Sequence, residues 1–192
     1  MRDFSLLSWE YRCKRCFSLL EKNHTSICKK MSSSKLSSLF SVFQDSPVIR
    51  SFLSAFVHRG AYFLLSTASH YLSLQYAQSS WPVGDLLVPL PCHQLYRWKR
   101  GYLASTLLAK EWGKQLSVPI CSALKRRFVS SHLENTSSVS PSLYGRTVQE
   151  KVVFLIADLC TREELAASAR VLQMMGAKSV YGCTLCLLDY RI

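Results

Sequence analysis

Three groups of residues in this 192-residue chain have the types and spacing to do chemistry. The first is the pair Cys13-Lys14-Arg15-Cys16, followed by His24 and Cys28. Three thiols and an imidazole are a legitimate structural zinc set, and the three residues between His24 and Cys28 let both reach one ion. The competing reading is three ordinary thiols in a basic tail. The second group is Ala157-Asp158-Leu159-Cys160-Thr161-Arg162-Glu163-Glu164, a junction between a strand and a helix, where free backbone N–H groups and the helix dipole bind phosphates. The third is Arg97, Lys99, Arg100 and Gly101, cations in a turn that opens a helix, a combination suited to a diphosphate. Without further context a basic surface turn explains the third group equally well. A further pair, Cys183 and Cys186, falls inside a predicted strand, where residues three apart face opposite sides. Buried apolar thiols are the expectation there.

The elements that must position these groups follow from pattern. Lys151 to Ile156 is a β-branched, apolar run that reads as a buried strand. Thr161 and Glu164 form a capping box, Leu165, Leu172 and Met175 mark the helix face behind it, and Gly176 is its left-handed stop. Ser179 to Leu188 is a second strand, which makes a strand–helix–strand crossover with parallel strands. Upstream, Asp85 to Pro91 reads as a short buried strand closed by prolines, and Tyr102 to Leu116 as a helix with Leu103, Leu107, Leu108 and Trp112 on its apolar face. Val118 to Ser122 is a candidate short strand. Ser46 and Pro47 start a helix whose face is Val48, Phe52, Ala55 and Phe56, ending at Gly60. A second helix spans Tyr62 to Gln75. Met31 to Ser38 is serine-rich and reads as a linker, and Lys125 to Arg146 as a mobile loop.

Composition narrows the class. Hydrophobic residues make up 48% and charged residues 19%, enough for a sizeable core and against wholesale disorder. The net charge is +12, and residues 151–192 carry only five basic and four acidic residues of it, so the excess lies earlier in the chain. A basic surface favours polyanions such as nucleic acid, nucleotides or acidic lipid. No secretory signal is visible at Met1 to Glu10, and the longest apolar candidate, Val48 to Leu74, is broken by Arg50, His58 and Arg59. No membrane span is expected. Eight scattered cysteines form no disulfide framework, so a reducing cytoplasm is the expected location.

Asp85-Leu86-Leu87-Val88-Pro89-Leu90-Pro91, Lys99-Arg100-Gly101-Tyr102, Val152 to Leu165, and Met175-Gly176-Ala177 with Val180 resemble, in order and spacing, the ComF competence-protein family. Those proteins look like type I phosphoribosyltransferases. The resemblance covers roughly residues 46–188 and implies an α/β fold: a parallel sheet flanked by helices, Rossmann-like, with a small N-terminal cysteine-containing module. It places the module at residues 1–45 and the phosphoribosyltransferase-like domain at residues 46–192. It implies that phosphoribosyl pyrophosphate would be held by Asp158, Thr161 and Arg162 on one side and by Lys99, Arg100 and Gly101 on the other, with magnesium if the chain is active. It also implies a zinc knuckle of two Cys-x-x-Cys pairs at the N-terminus. Cys13 and Cys16 are a full pair, Cys28 is half of a second, Met31 stands where a thiolate belongs, and His24 is the substitute donor.

The departures are as informative as the matches. Ala157 replaces an acid of the family's phosphate loop, Arg162 a threonine and Glu163 its glycine. The glycine lets backbone approach the phosphate and point N–H groups at it. Glu163 brings bulk and charge instead; at about 4 Å and an effective dielectric of about 20, each unit-charge repulsion is about 4 kcal/mol. The expectation is a ComF-like protein associated with DNA uptake, with little or no catalysis, whose partners are single-stranded DNA or DNA-uptake proteins. The alternative is an active phosphoribosyltransferase of nucleotide metabolism.

Overall fold

The computed structural model describes residues 6–20, 24–32, 34–58, 63–91, 103–126, 139–141 and 145–188. Its centre is a parallel sheet of four strands. These are β1 (Ser38–Phe43), β2 (Leu86–Pro89), β5 (Val152–Thr161) and β6 (Ser179–Leu188), side by side in the order β1-β6-β5-β2. A separate antiparallel pair joins β3 (Leu124–Arg126) to β4 (Val139–Pro141). The helices are α1 (His24–Ser32), α2 (Pro47–His58), α3 (Leu64–Ala77), α4 (Ala104–Leu116) and α5 (Arg162–Met174). Among the described residues no helix is long and apolar enough to cross a membrane.

Helices cover both faces of the sheet, which is why its strands read as continuous apolar runs. On one face Phe40, Phe154 and Tyr181 meet Trp81, and Phe154 meets Tyr76 of α3 and Trp112 of α4. On the other, Leu165 of α5 lies over Gly182 of β6. Strand periodicity sorts the faces: Leu39 and Gly182 point to α5, while Phe40 and Tyr181 point away from it. Both sheet edges are covered. The Leu39 amide donates to the Arg15 carbonyl at 3.0 Å, and the Leu7 amide to the Val42 carbonyl at 3.2 Å. At the far edge Leu87 donates to Pro119 and accepts from Cys121, both at 2.9 Å. These bonds satisfy part of the row of backbone groups that an open edge would present.

Several sequence expectations hold. The predicted crossover is β5–α5–β6, Gly176 adopts φ +91°, and the Ser46 hydroxyl accepts from the Ile49 amide at 3.3 Å as an N-cap. Asp85, the first residue of the proline-bounded strand, acts as a mechanical tie. Its carboxylate accepts from the Val152 amide at 2.8 Å and fastens the start of β2 to β5. Val118 to Ser122 contributes a single bridge, Ile120 beside Leu87, rather than a strand of its own.

Others need correction. Among the described side chains of α2, Ile49 and Leu53 are buried and Phe52 packs against Phe43 as expected, while Val48 is exposed, so the inward face is wider than expected and shifted away from Val48. The serine-rich stretch read as a linker ends in β1, all six of whose residues are buried. Ser41 is tolerated there because its hydroxyl donates to the Phe43 carbonyl at 2.9 Å and accepts from the Leu187 amide at 3.1 Å. The Gly60 stop and most of the predicted loop 125–146 lie outside the described residues.

Gly84 marks the tightest point of the aromatic face. A Cβ built there sits 2.8 Å from Phe154 Cε2. The neighbour is a buried ring, which cannot swing clear as a flexible chain end would. Gly84→Ala is expected to cost about 1–3 kcal/mol of unfolding free energy, read from a urea midpoint at unchanged slope.

Candidate functional site

The N-terminal cysteines converge. Cys13 and Cys16 flank a tight turn in which the Phe17 amide donates to the Cys13 carbonyl at 2.9 Å and the Cys13 amide donates to the Ser18 carbonyl at 2.9 Å. Phe17 closes the turn in the left-handed region, φ +56°. A phenylalanine tolerates that conformation because its ring is fully buried, 4.8 Å from Trp9. The helix α1 opens at His24 and brings Cys28 round one turn later, onto the same face. One donor atom each from Cys13, Cys16, His24 and Cys28 lies within 4.8 Å of all the others.

The donor set fits a tetrahedral metal. With Zn–S bonds of about 2.3 Å, two thiolates on one zinc stand about 3.8 Å apart; the Cys13 and Cys28 sulfurs are 3.9 Å apart. His24 Nε2 is buried and has no hydrogen-bond partner, as a nitrogen reserved for a metal would be. Burial pushes the Cys13 thiol up, but hydrogen bonds from the Cys16 and Arg15 backbone, with His24 close by, outweigh it and bring the thiol down to about 6. Backbone N–H groups aimed at a sulfur stabilise thiolate, the form that binds metal. Cys28 goes the other way, to about 11, through burial and then through its hydrogen bond to Cys13 and the charges of Cys13 and Cys16. Met31 is not a donor here; it is buried in the core.

The β5–α5 junction differs from the expected loop. The strand does not end at Ile156. It runs on to Thr161, with Ala157 opposite Thr184, Cys160 opposite Leu187 and Thr161 opposite Leu188. Ala157 and Cys160, three apart and so on opposite faces of the strand, are both buried, as expected in a sheet covered on both sides. The helix begins at once. Thr161 Oγ1 accepts from the Glu164 amide at 3.2 Å, and Glu164 Oε2 accepts from the Thr161 amide at 3.1 Å. Both ends of the capping box are made, so two amides that could face a phosphate are already used. Asp158 is half-buried, and its carbonyl accepts from the Thr184 hydroxyl at 3.4 Å.

Arg162, the first residue of α5, is half-buried, and its Nε donates to the Cys16 carbonyl at 3.5 Å. The structure therefore brings Arg162 to the cysteine cluster, a meeting no local pattern could have disclosed across 146 residues of sequence. Lys99, Arg100 and Gly101, with Arg97, lie outside the described residues. Cys183 and Cys186 are buried in β6 as expected, and burial raises both thiols.

No protein-family model matches the chain, and no curated protein matches it. Among solved structures the chain is similar to the purine phosphoribosyltransferase from Pyrococcus horikoshii Ot3, at 13% identity and a TM-score of 0.46, over 66% of this chain and 74% of that one.

Proposed function

We propose that this chain is a ComF-like protein of phosphoribosyltransferase fold that has given up phosphoribosyl transfer, holds a structural zinc ion at Cys13, Cys16, His24 and Cys28, and handles single-stranded DNA during uptake. The observation that carries the loss of transfer is the β5–α5 junction. A phosphate site needs free amides at the helix start and a backbone that can approach closely. Here the amides of Thr161 and Glu164 are bonded to each other's side chains, and Glu163 puts a negative charge beside them. The zinc reading is supported by the four converging donors and the unpartnered His24 nitrogen. Zinc here ties the N-terminal turn to α1; it supplies structure, and no reaction step is assigned to it. The DNA reading is supported by charge: Lys14, Arg15 and Lys29, next in sequence to the cluster's cysteines, are exposed, in a chain of net charge +12. Exposed Tyr11 beside them adds a ring on which a base can stack.

Calorimetric titration with magnesium phosphoribosyl pyrophosphate is expected to give no binding heat, while a fluorescent oligo-dT is expected to bind with an affinity that falls steeply as salt rises. Micromolar binding of phosphoribosyl pyrophosphate overturns the first half of the proposal and favours an active phosphoribosyltransferase. Oligo-dT binding that is absent at low salt overturns the second.

A further inference from the structure

Arg162 sits where a cation is least welcome. It is the first residue of α5, at the positive end of the helix dipole, so its charge costs stability unless something nearby returns it. Glu163, next in the chain, returns part of it, and the turn that presents Cys16 lies against the guanidinium. Arg162 Nε donates to the Cys16 carbonyl at 3.5 Å, and Arg12 Nη1 donates to the next carbonyl, that of Phe17, at 3.0 Å. The Arg12 guanidinium also lies 5.1 Å over the Phe17 ring, which fixes its plane against the turn. Two guanidiniums thus hold two successive carbonyls of the segment that carries a cysteine ligand. One comes from within the N-terminal segment, the other from the far end of β5.

We propose that Arg162, together with Arg12, is the outer support of the cysteine cluster: it holds the Cys16 carbonyl, fixes the turn that aims Cys13 and Cys16 at one ion, and balances the charge of the metal-bound thiolates. The inference rests on the reading that the cluster holds zinc. Zinc with three thiolates and a neutral imidazole carries one net negative charge, and a partly buried charge needs a counter-charge or donors around it. Loss of a group that holds a ligand from outside typically weakens metal binding by about 10–100-fold. The chemistry also explains the choice of arginine. A guanidinium is always charged and presents a planar fork, so it can bond a carbonyl with one N–H and still face the thiolates with its charge. The consequence for the chain is a direct mechanical link: metal at the N-terminal turn and the start of α5 are set by the same side chain.

The test is a titration of the full chain with cobalt(II), followed by the thiolate-to-cobalt absorption and by zinc competition. It compares the natural protein with Arg162→Met and Arg162→Lys. The natural protein is expected to bind one cobalt with a tetrahedral thiolate spectrum. Arg162→Met is expected to bind about 10–100-fold more weakly with a shifted visible band, and Arg162→Lys to recover part of the loss through charge alone. Metal-free Arg162→Met is expected to melt where the metal-free natural protein melts. Equal cobalt affinity and spectrum in Arg162→Met overturns the inference. So does a loss of affinity matched by an equal loss of metal-free stability, which would make Arg162 an ordinary contact of the fold. Failure of the natural protein to bind cobalt at all sinks the zinc reading itself, and is told apart by that.

Discussion

Replacing Cys13 by serine is expected to abolish stoichiometric zinc binding and to lower the melting temperature of the zinc-loaded protein to that of the chelator-treated one. Cys13 is the sulfur at which backbone hydrogen bonds from Cys16 and Arg15 converge, and it stands 3.9 Å from the Cys28 sulfur. Its loss leaves two thiols and a histidine, one donor short of a tetrahedral set. Structural zinc contributes apparent binding free energies on the order of 10 kcal/mol at neutral pH in isolated modules, and binding free energy is folding free energy where no site preexists. Here part of the site is prebuilt by the turn at Phe17 and the packing of its ring, so the share that shows as stability is smaller. About 3 kcal/mol would still lower the midpoint by roughly 6–12 °C in a chain of this size. Mass spectrometry under native conditions reads the stoichiometry, and differential scanning calorimetry with and without zinc reads the shift. Equal melting of natural and Cys13→Ser protein, both with zinc, would remove the metal from the account of this fold.

The parts of this architecture that could be read from sequence are those whose causes are local. The capping box at Thr161 and Glu164, the glycine stop at Gly176 and the apolar run of β5 each carry their signal within a few residues. The convergence of Cys13, Cys16, His24 and Cys28 was legible for a similar reason, since Cys-x-x-Cys needs only a turn, and His24 and Cys28 need only one helical turn. What was hidden depends on distant partners. β1 directly follows the serine-rich stretch and carries two serines of its own, yet Ser41 is satisfied by Phe43 and Leu187, and the strand's place is set by β6. The extension of β5 through Thr161 is likewise imposed by its register with β6, against a local composition that reads as loop. Arg162 belongs with these. In sequence it is a candidate phosphate ligand; in space it reaches a carbonyl 146 residues away.

Phe154→Ala is expected to be the most damaging single change in the sheet, costing about 3–5 kcal/mol. Phe154 is fully buried near the start of β5, flanked by Leu87 of β2 and Tyr181 of β6. Its ring stacks on Trp112 at 6.0 Å and 20°, meets Tyr76 at 5.4 Å and Tyr181 at 5.9 Å edge-on, and lies 5.9 Å from Trp81. Truncation therefore opens a cavity where α3, α4 and the sheet meet, and it removes the wall that forces a glycine at position 84. Rigid aromatic neighbours collapse poorly into such a space, which puts the cost at the upper end of the range. Native stability is commonly about 5–15 kcal/mol, so the variant keeps little margin. Phe154→Leu fills most of the volume and is expected to lose less. Gly84→Ala supplies the sharper check, because its clash is with the same ring. In the Phe154→Ala background the added methyl has room, so the double variant is expected to be no less stable than Phe154→Ala alone. Additive losses in that double-mutant cycle would mean that position 84 resists a side chain for some reason other than the Phe154 ring.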